Sequence, residues 1–422
     1  MREEGNILSR IDWLTVLIYL ALVIIGWMNI YSTNHDDSQT NSIFNLDINA
    51  GRQFIFICIS LVIVTAILLI DFRVYDSFGI VFYLAALLAL VVVLILAREV
   101  SGSRSWIELG PIKFQPSEFA KFATALAVAK IISLPGFRFE KTMKFFQLVL
   151  VIAVPARLII LQGDTGTALV FAAFAIPLFR EGLNPGYLII GISAAVIFIL
   201  TLFIPELYLY IAITAICVLI IFLGKKTIKR IATIAVAGIF IGLLVTGVDY
   251  FINNVLKPHQ QARIKALIDP ESDPRGYGYN VIQSKIAIGS GGFWGKGYLQ
   301  GTQTKYEYVP EQTTDFIFCT IGEEGGWVGS TIIIGLFLIL LIRLVRISER
   351  QKSKFARVYG YCVCGIMFFH FMVNVGMTIG FFPVIGIPLP FFSYGGSSLL
   401  AFSILLFILI KIDAHRMQML TH

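Results

Sequence analysis

Twelve stretches of this chain read as candidate membrane-crossing helices: 13–31, 54–70, 78–97, 116–134, 145–161, 166–180, 186–204, 206–223, 229–251, 315–342, 356–380 and 397–413. A helix needs about 20 apolar residues to cross the hydrocarbon core of a bilayer. These runs are continuous, whereas the strands of a membrane barrel alternate over roughly 10 residues. They predict an all-α polytopic membrane protein, a bundle of about 10–12 transmembrane helices. The short runs 166–180 and 206–223 are the weakest cases. Composition agrees: 57% of residues are hydrophobic and only 14% charged, against roughly 25% charged in soluble domains. A soluble core of this length could not hide so much apolar surface, but lipid can.

The run 13–31 is long enough to span and no small-residue cleavage site follows it, so it reads as a retained anchor. The net charge of +7 then has a topological explanation. With the N-terminus in the cytoplasm, the basic segments 135–144, 224–230 and 343–356 fall on the cytoplasmic side, as the positive-inside rule demands. The loop 32–50, with His35, Asp36, Asp37 and Asp47, falls outside, and both termini are cytoplasmic. The basic residues mark orientation, and nucleic-acid binding has no support. Cys58, Cys217, Cys319, Cys362 and Cys364 are odd in number and form no CxxC, which argues against a disulfide framework or a zinc site. The histidines form no HExxH and are read as non-catalytic.

Four stretches land on the outer face: 98–115, the turn near 162–165, 252–314 and 381–396. The last, FFPVIGIPLPFFSYGG, is apolar but rich in Pro and Gly, which predicts a non-helical, partly buried segment. Such backbone is tolerated at membrane depth only against protein or a water-filled cavity. The stretch 252–314 is too long for a connector and is read as one long extracytoplasmic loop in a single integral membrane domain, 1–422. Its GSGGFWGKG (289–297) is not a Walker loop: Ser290 stands where Gly is needed, and Gly297 follows Lys296 where Ser or Thr is needed. GxGxxG fails at Trp294. Close approach to a phosphate and simple tight turns are equally open readings of these glycines.

Ionisable residues inside apolar runs are costly and often functional. Those singled out here are Glu118, Lys121, Arg157, Asp164, Asp315, Glu323 and Glu324. Glu118 and Lys121, spaced i,i+3, can meet on one helix face, either as a structural ion pair or as part of a site. Asp315 follows Glu311, Thr313 and Thr314 and opens a long apolar helix, with either threonine placed to cap it. A helix N-terminus favours the anionic carboxylate, whether it acts in chemistry or only decorates the first turn. Asp164 has a similar setting, and Asn374 in its apolar helix reads as an interhelical hydrogen-bond donor.

Five ordered motifs resemble the SEDS family, which includes RodA, FtsW and a sporulation homologue. They are GSRSWIELGPIKFQPSEFAKFA (102–123), QGDTGTALV (162–170), the stretch from ARIKALIDPESDPRGYGYN (262–280) through VPEQTTDFIF (309–318), GEEGGWVG (322–329) and NVGMTIGFFPVIGIPLPFFSYGGSS (374–398). The wording is closer to RodA than to FtsW. The resemblance implies a peptidoglycan glycosyltransferase of the inner membrane, acting in cell-wall elongation on lipid II and the growing glycan strand. It implies a class B penicillin-binding protein and other elongation proteins as partners, a divalent cation (Mg or Mn) and no organic cofactor. The essential acidic residue of the family maps onto Asp315, and the Trp of its RSW motif onto Trp106. The family's usual QPDLGTA is here Gln162-Gly163-Asp164-Thr165-Gly166, which loosens that turn but keeps Asp164. The family usually has ten spans, so the two extra runs imply a helical hairpin inserted within about 181–251.

The implied reaction inverts the anomeric centre and needs two aids. A carboxylate must take the acceptor's proton, which is assigned to Asp315. Positive charge must meet the departing pyrophosphate, for which Arg104, Lys121, Arg263 and Lys296 are proposed. Trp106, Glu118, Asp164, Glu311 and Thr314 complete the substrate-binding set. A helix N-terminus makes a carboxylate a weaker base, so a metal-ligand role for Asp315 is equally open. Two other classes remain in view: a lipid II flippase and a non-enzymatic scaffold of the elongation or division machinery.

Overall fold

A computed structural model describes residues 10–33, 42–97, 103–109, 112–140, 142–224, 227–255, 258–269 and 276–416. His35, Asp36, Asp37, Lys225, Lys226, the 110–111 turn and positions 270–275 lie outside the described residues. The chain divides into two units, residues 1–182 with 279–422, and residues 183–278.

The first unit opens with α1 (Trp13–Ser32). Asp12 caps it, its carboxylate accepting from the N–H of Thr15 at 3.1 Å and from the Thr15 hydroxyl at 2.9 Å. Next come α2 (Asn49–Leu69), α3 (Arg73–Ser77) and α4 (Gly79–Leu96). The polar stretch after α4 folds into a two-stranded hairpin, β1 (Ile107–Leu109) antiparallel to β2 (Ile112–Phe114), with Ile107 opposite Phe114. Pro116 at the first turn starts α5 (Pro116–Ser133), and α6 (Thr142–Leu161) follows. The run expected at 166–180 is broken: α7 (Thr165–Val170), a 3-10 turn at Phe171–Phe174, then α8 (Ala175–Arg180).

The second unit holds α9 (Pro185–Phe203), α10 (Glu206–Leu223), α11 (Ile228–Tyr250) and α12 (Pro258–Ile268). The stretch read as one long extracytoplasmic loop, 252–314, carries helix α12, and then α13 (Tyr277–Ser290) and the single turn α14 (Thr302–Lys305). Helix α13 forms because Val281, Ser284 and Ala287 recur on one buried face. The chain closes with α15 (Ile317–Glu349), α16 (Lys354–Thr378) and α17 (Gly396–Ala414).

Among the described residues ten helices are long and apolar enough to cross a membrane: α1, α2, α4, α6, α9, α10, α11, α15, α16 and α17. Helix α5 carries Glu118, Lys121 and Lys130 and sits at the centre of the first unit, packed by α4, α16 and α17. Its alanines, Ala120, Ala123, Ala125, Ala127 and Ala129, are all buried, which lets neighbouring backbones come close.

Residues 381–395 are non-helical, as the Pro/Gly content predicts, and most of the segment from Val384 to Ser393 is buried. A Cβ on Gly26 of α1 would lie 2.7 Å from the Phe392 backbone, and one on Gly166 of α7 would lie 2.5 Å from the Ile385 carbonyl. Only glycine lets these helices approach so near, and buried irregular backbone needs such close protein neighbours.

Candidate active site

Asp315 is half-buried and stands two residues ahead of α15, whose N-cap position is Phe316 with no side-chain cap. The expected threonine cap does not form. Glu311, at φ 59°, folds the chain so that its carbonyl accepts from the N–H groups of Thr314 at 3.1 Å and Phe316 at 3.2 Å. The Thr314 hydroxyl donates to the Glu311 carboxylate at 2.8 Å. The non-helical segment locks the same turn from the other side. The Ser393 hydroxyl donates to the Thr314 carbonyl at 2.6 Å, and the Tyr394 N–H donates to the Thr313 carbonyl at 2.9 Å. Asn374 of α16 donates through one amide nitrogen to the carbonyls of Asp315 and Ile387, each at 2.8 Å. Three consecutive carbonyls, 313 to 315, are therefore fixed, and the Asp315 carboxylate is carried on a rigid junction.

A second polar group is built at the start of α5. Lys121 donates to Glu118 at 2.8 Å, both side chains being 2% exposed. The ammonium also lies 2.9 Å from Nε2 of His370 and 4.7 Å from the centre of the Phe402 ring. Asp164 caps α7, one oxygen accepting from the Thr167 N–H at 3.0 Å and the other from the Gln115 side chain at 2.9 Å. The Ser117 hydroxyl reaches the same second oxygen at 3.4 Å. Arg104 is exposed, and its N–H donates to the Gln162 carbonyl at 2.7 Å, which joins the segment leading into β1 to the turn bearing Asp164.

The glycine-rich motif 289–297 pairs with the break in α15. Gly326 has φ 62° and ψ −156°, which interrupts the helix and frees the backbone groups around it. The N–H groups of Trp327 and Val328 donate to the carbonyls of Gly292 at 2.9 Å and Phe293 at 3.1 Å. The carbonyls of Glu323 and Glu324 accept from the N–H groups of Lys296 and Gly297, each at 3.0 Å. A Cβ on Gly291 or Gly295 would lie 2.0 Å from a carbonyl of α15. These glycines thus serve a backbone-to-backbone seam, the tight-turn reading rather than a phosphate cradle.

Lys296 belongs to that seam. Its ammonium sits 2.7 Å from the fully buried carboxylate of Glu323, which also accepts from the N–H groups of Gln303 and Thr304 at 2.8 Å each and from the Thr304 hydroxyl at 2.7 Å. Glu324 accepts from the Ser32 hydroxyl and from the Leu299 N–H. Both glutamates flagged by sequence are used to hold 296–304 against the helix.

The structure therefore gathers Glu311, Thr314 and Asp315 at one junction and Glu118 with Lys121 on α5, and it ties the backbone of Arg104 to the turn that bears Asp164. Lys296 pairs with Glu323 instead of facing the junction, Arg157 is exposed on α6, and Arg263 is on α12 in the second unit. His370 and Gln115 were missed. A buried His four residues before Asn374, inside an apolar helix, met the same criterion that singled out the other polar residues.

The sequence profile of a family described as "Cell cycle protein", which covers FtsW, RodA and SpoVE, matches residues 12–210 and 183–418. The chain belongs to the FtsW/RodA/SpoVE family. This is the family that the five motifs resemble, and the chain is accordingly a multi-span membrane protein. Among its FtsW/RodA/SpoVE relatives, "Peptidoglycan glycosyltransferase MrdB" of Escherichia coli (strain K12) is 33% identical over 96% of this chain and 94% of its own length. "Peptidoglycan glycosyltransferase RodA" of Treponema pallidum (strain Nichols) is 33% identical over 99% of this chain and the whole of its own. A solved chain described under "Structural coordination of polymerization and crosslinking by a peptidoglycan synthase complex" superposes with a TM-score of 0.71 at 28% identity, covering 97% of this chain and 99% of that one. RodA of Thermus thermophilus, at 24% identity and a TM-score of 0.63 over 96% and 97% of the two chains, shows the shared fold.

Proposed function

We propose that this chain is a peptidoglycan glycosyltransferase that polymerises lipid II on the outer face of the cytoplasmic membrane, for cell-wall elongation. The observation that carries the reading is the locked junction at Asp315, whose preceding and own carbonyls are held by Tyr394, Ser393 and Asn374. A carboxylate so held can be met by a substrate hydroxyl without reorganising first, which is where a positioned base gains its rate. The names of the full-length relatives support the same reaction.

In the transfer, the 4-hydroxyl oxygen of one lipid-linked sugar bonds to the anomeric carbon of the growing chain. The bond from that carbon to the pyrophosphate oxygen breaks, and undecaprenyl pyrophosphate leaves with the electron pair. Asp315 takes the hydroxyl proton. Attack from the face opposite the leaving group inverts the centre, so no covalent enzyme intermediate is needed. Of the basic residues proposed for the pyrophosphate, Lys121 and Lys296 already hold carboxylates. Arg104 is exposed, and its backbone is tied to the turn that bears Asp164, which supports the role proposed for it. Among the described residues no cluster of three His, Cys, Asp or Glu side chains could hold a metal alone. A divalent ion at Asp315 would need phosphate oxygens and water as its other ligands, the usual habit of Mg²⁺.

A path for translocating lipid II would place charges through the membrane midplane. Here Glu118 and Lys121 lie in the first two turns of α5, Asp164 caps α7 and Asp315 precedes α15, all at helix starts. That supports chemistry at one face, with both termini cytoplasmic. A class B penicillin-binding protein is the expected partner. The test supplies the purified complex of the two with lipid II and Mg²⁺ or Mn²⁺ and measures glycan polymer. Wild type makes polymer and Asp315→Ala makes none. Equal polymer from the variant refutes the role of Asp315, and lipid II translocation in vesicles without polymer identifies a transporter instead.

A further inference from the structure

One face of α16 grips two consecutive carbonyls of the non-helical segment. His370 and Asn374 are four residues apart and so lie one above the other on the helix. Nδ1 of His370 is 3.0 Å from the Pro388 carbonyl oxygen, and Asn374 donates to the Ile387 carbonyl at 2.8 Å. Each side chain has a second contact. Nε2 of His370 is 2.9 Å from the Lys121 ammonium, and Asn374 donates to the Asp315 carbonyl at 2.8 Å.

The partners fix where the imidazole proton sits. An ammonium offers three donors and no acceptor. Nε2 must therefore accept from Lys121, and Nδ1–H donates to Pro388. The ring is 1% exposed and stands edge-on to Phe402, with centroids 4.7 Å apart. The other tautomer would present a donor to the ammonium and a bare nitrogen to the carbonyl, and turning the ring would put carbons at both contacts. A continuous buried chain results, Glu118 to Lys121 to His370 to Pro388, then along the backbone to Ile387, Asn374 and Asp315. It joins the α5 ion pair to the junction that carries the carboxylate.

We infer that His370 is a positioning residue for Asp315, acting through Pro388, Ile387 and Asn374, with the Lys121–Glu118 pair as its anchor. The role rests on the polymerase reading of the site. It assigns the buried ion pair a purpose that needs no contact with substrate. Without His370 the segment 387–388 keeps only the Asn374 clamp, and the carboxylate settles away from the acceptor hydroxyl. The loss should therefore fall on kcat, since substrate contacts are untouched.

The test uses the full chain in complex with its transpeptidase partner. His370→Leu is expected to lower kcat about tenfold with KM for lipid II within about twofold of wild type. His370→Gln, which can accept from Lys121 and donate to Pro388, should recover most of the rate. The double variant His370→Leu/Asn374→Leu should lose less than the two single losses combined. Nitrogen-15 NMR of histidine-labelled protein, with His370 assigned by difference from the His370→Gln spectrum, should show its proton on Nδ1. Polymerisation by His370→Leu within about twofold of wild type overturns the role. If that variant does not assemble, failure of His370→Gln to exceed about a tenth of wild-type rate overturns it instead. A wild type that makes polymer but carries the proton on Nε2 overturns this role alone. A wild type that makes no polymer overturns the polymerase reading, and this role with it.

Discussion

The side-chain amide of Asn374 donates to the main-chain carbonyl of Asp315 at 2.8 Å, so the residue proposed to take the proton is held by its backbone from a different helix. The same nitrogen holds Ile387. Asn374→Leu removes both bonds and leaves two carbonyls without this donor, at about 1–3 kcal/mol for each one that is buried. Polymerisation should fall by about tenfold or more, because a small displacement of a reacting group is costly. Rate and thermal melting of the variant complex check this. A variant that melts lower but polymerises at the wild-type rate would separate the clamp from catalysis.

Lys296→Met separates two roles that sequence alone could not. If the lysine served the pyrophosphate, its loss would raise KM for lipid II. In the structure its ammonium answers the buried Glu323 carboxylate at 2.7 Å. Leaving a buried carboxylate without its counter-ion costs on the order of 3 kcal/mol. The expected outcome is a lower melting temperature and faster proteolysis within 296–304, with KM unchanged.

Gly326→Ala should be refused. The backbone there occupies a region that only glycine adopts readily, and a Cβ would lie 2.3 Å from the Gly295 nitrogen. The expected loss exceeds about 3 kcal/mol, seen as failure to recover folded protein. Gly335→Ala, on the same helix with open space around it, is the control. It should be neutral or stabilising by up to about 1 kcal/mol.

The cap of α1 predicts a pH dependence. Burial of Asp12 opposes ionisation, but the Thr15 N–H and hydroxyl and the Arg343 guanidinium outweigh it and hold its carboxyl below the usual range. A carboxyl whose pKa is lower folded than unfolded stabilises the protein at neutral pH. That stabilisation fades as pH falls from the unfolded value through the folded one. Asp12→Asn keeps a capping side chain but loses the charge. It should melt below wild type at pH 7, and the gap should close on acidification below pH of about 4.

Much of the fold was legible because lipid demands long apolar helices, and every expected run is found as a helix or, at 165–180, as a broken one. The Asp164 cap and the Glu118–Lys121 pair were legible too, since both are local spacings. The threonine cap before α15 was not, because Glu311 turns back and takes the Thr314 N–H and hydroxyl for itself. Nor were the partners of Lys296 and His370. Glu323 and Lys121 lie 27 and 249 positions away, and no periodicity connects them. Helix α13 was hidden because its buried stripe includes Ser284, which reads as polar until its hydroxyl is seen donating to the Thr378 carbonyl at 2.8 Å.

The seam between 291–297 and the break at Gly326 bears on how the chain is made. A helix entering a bilayer with unpaired amides at its kink would expose them to hydrocarbon, at several kcal/mol each. The carbonyls that answer Trp327 and Val328 belong to Gly292 and Phe293, which leave the ribosome earlier. The segment that heals the kink is therefore already synthesised when the kink arrives. Pairing at the kink then requires that the earlier segment be delivered to the same side of the membrane first.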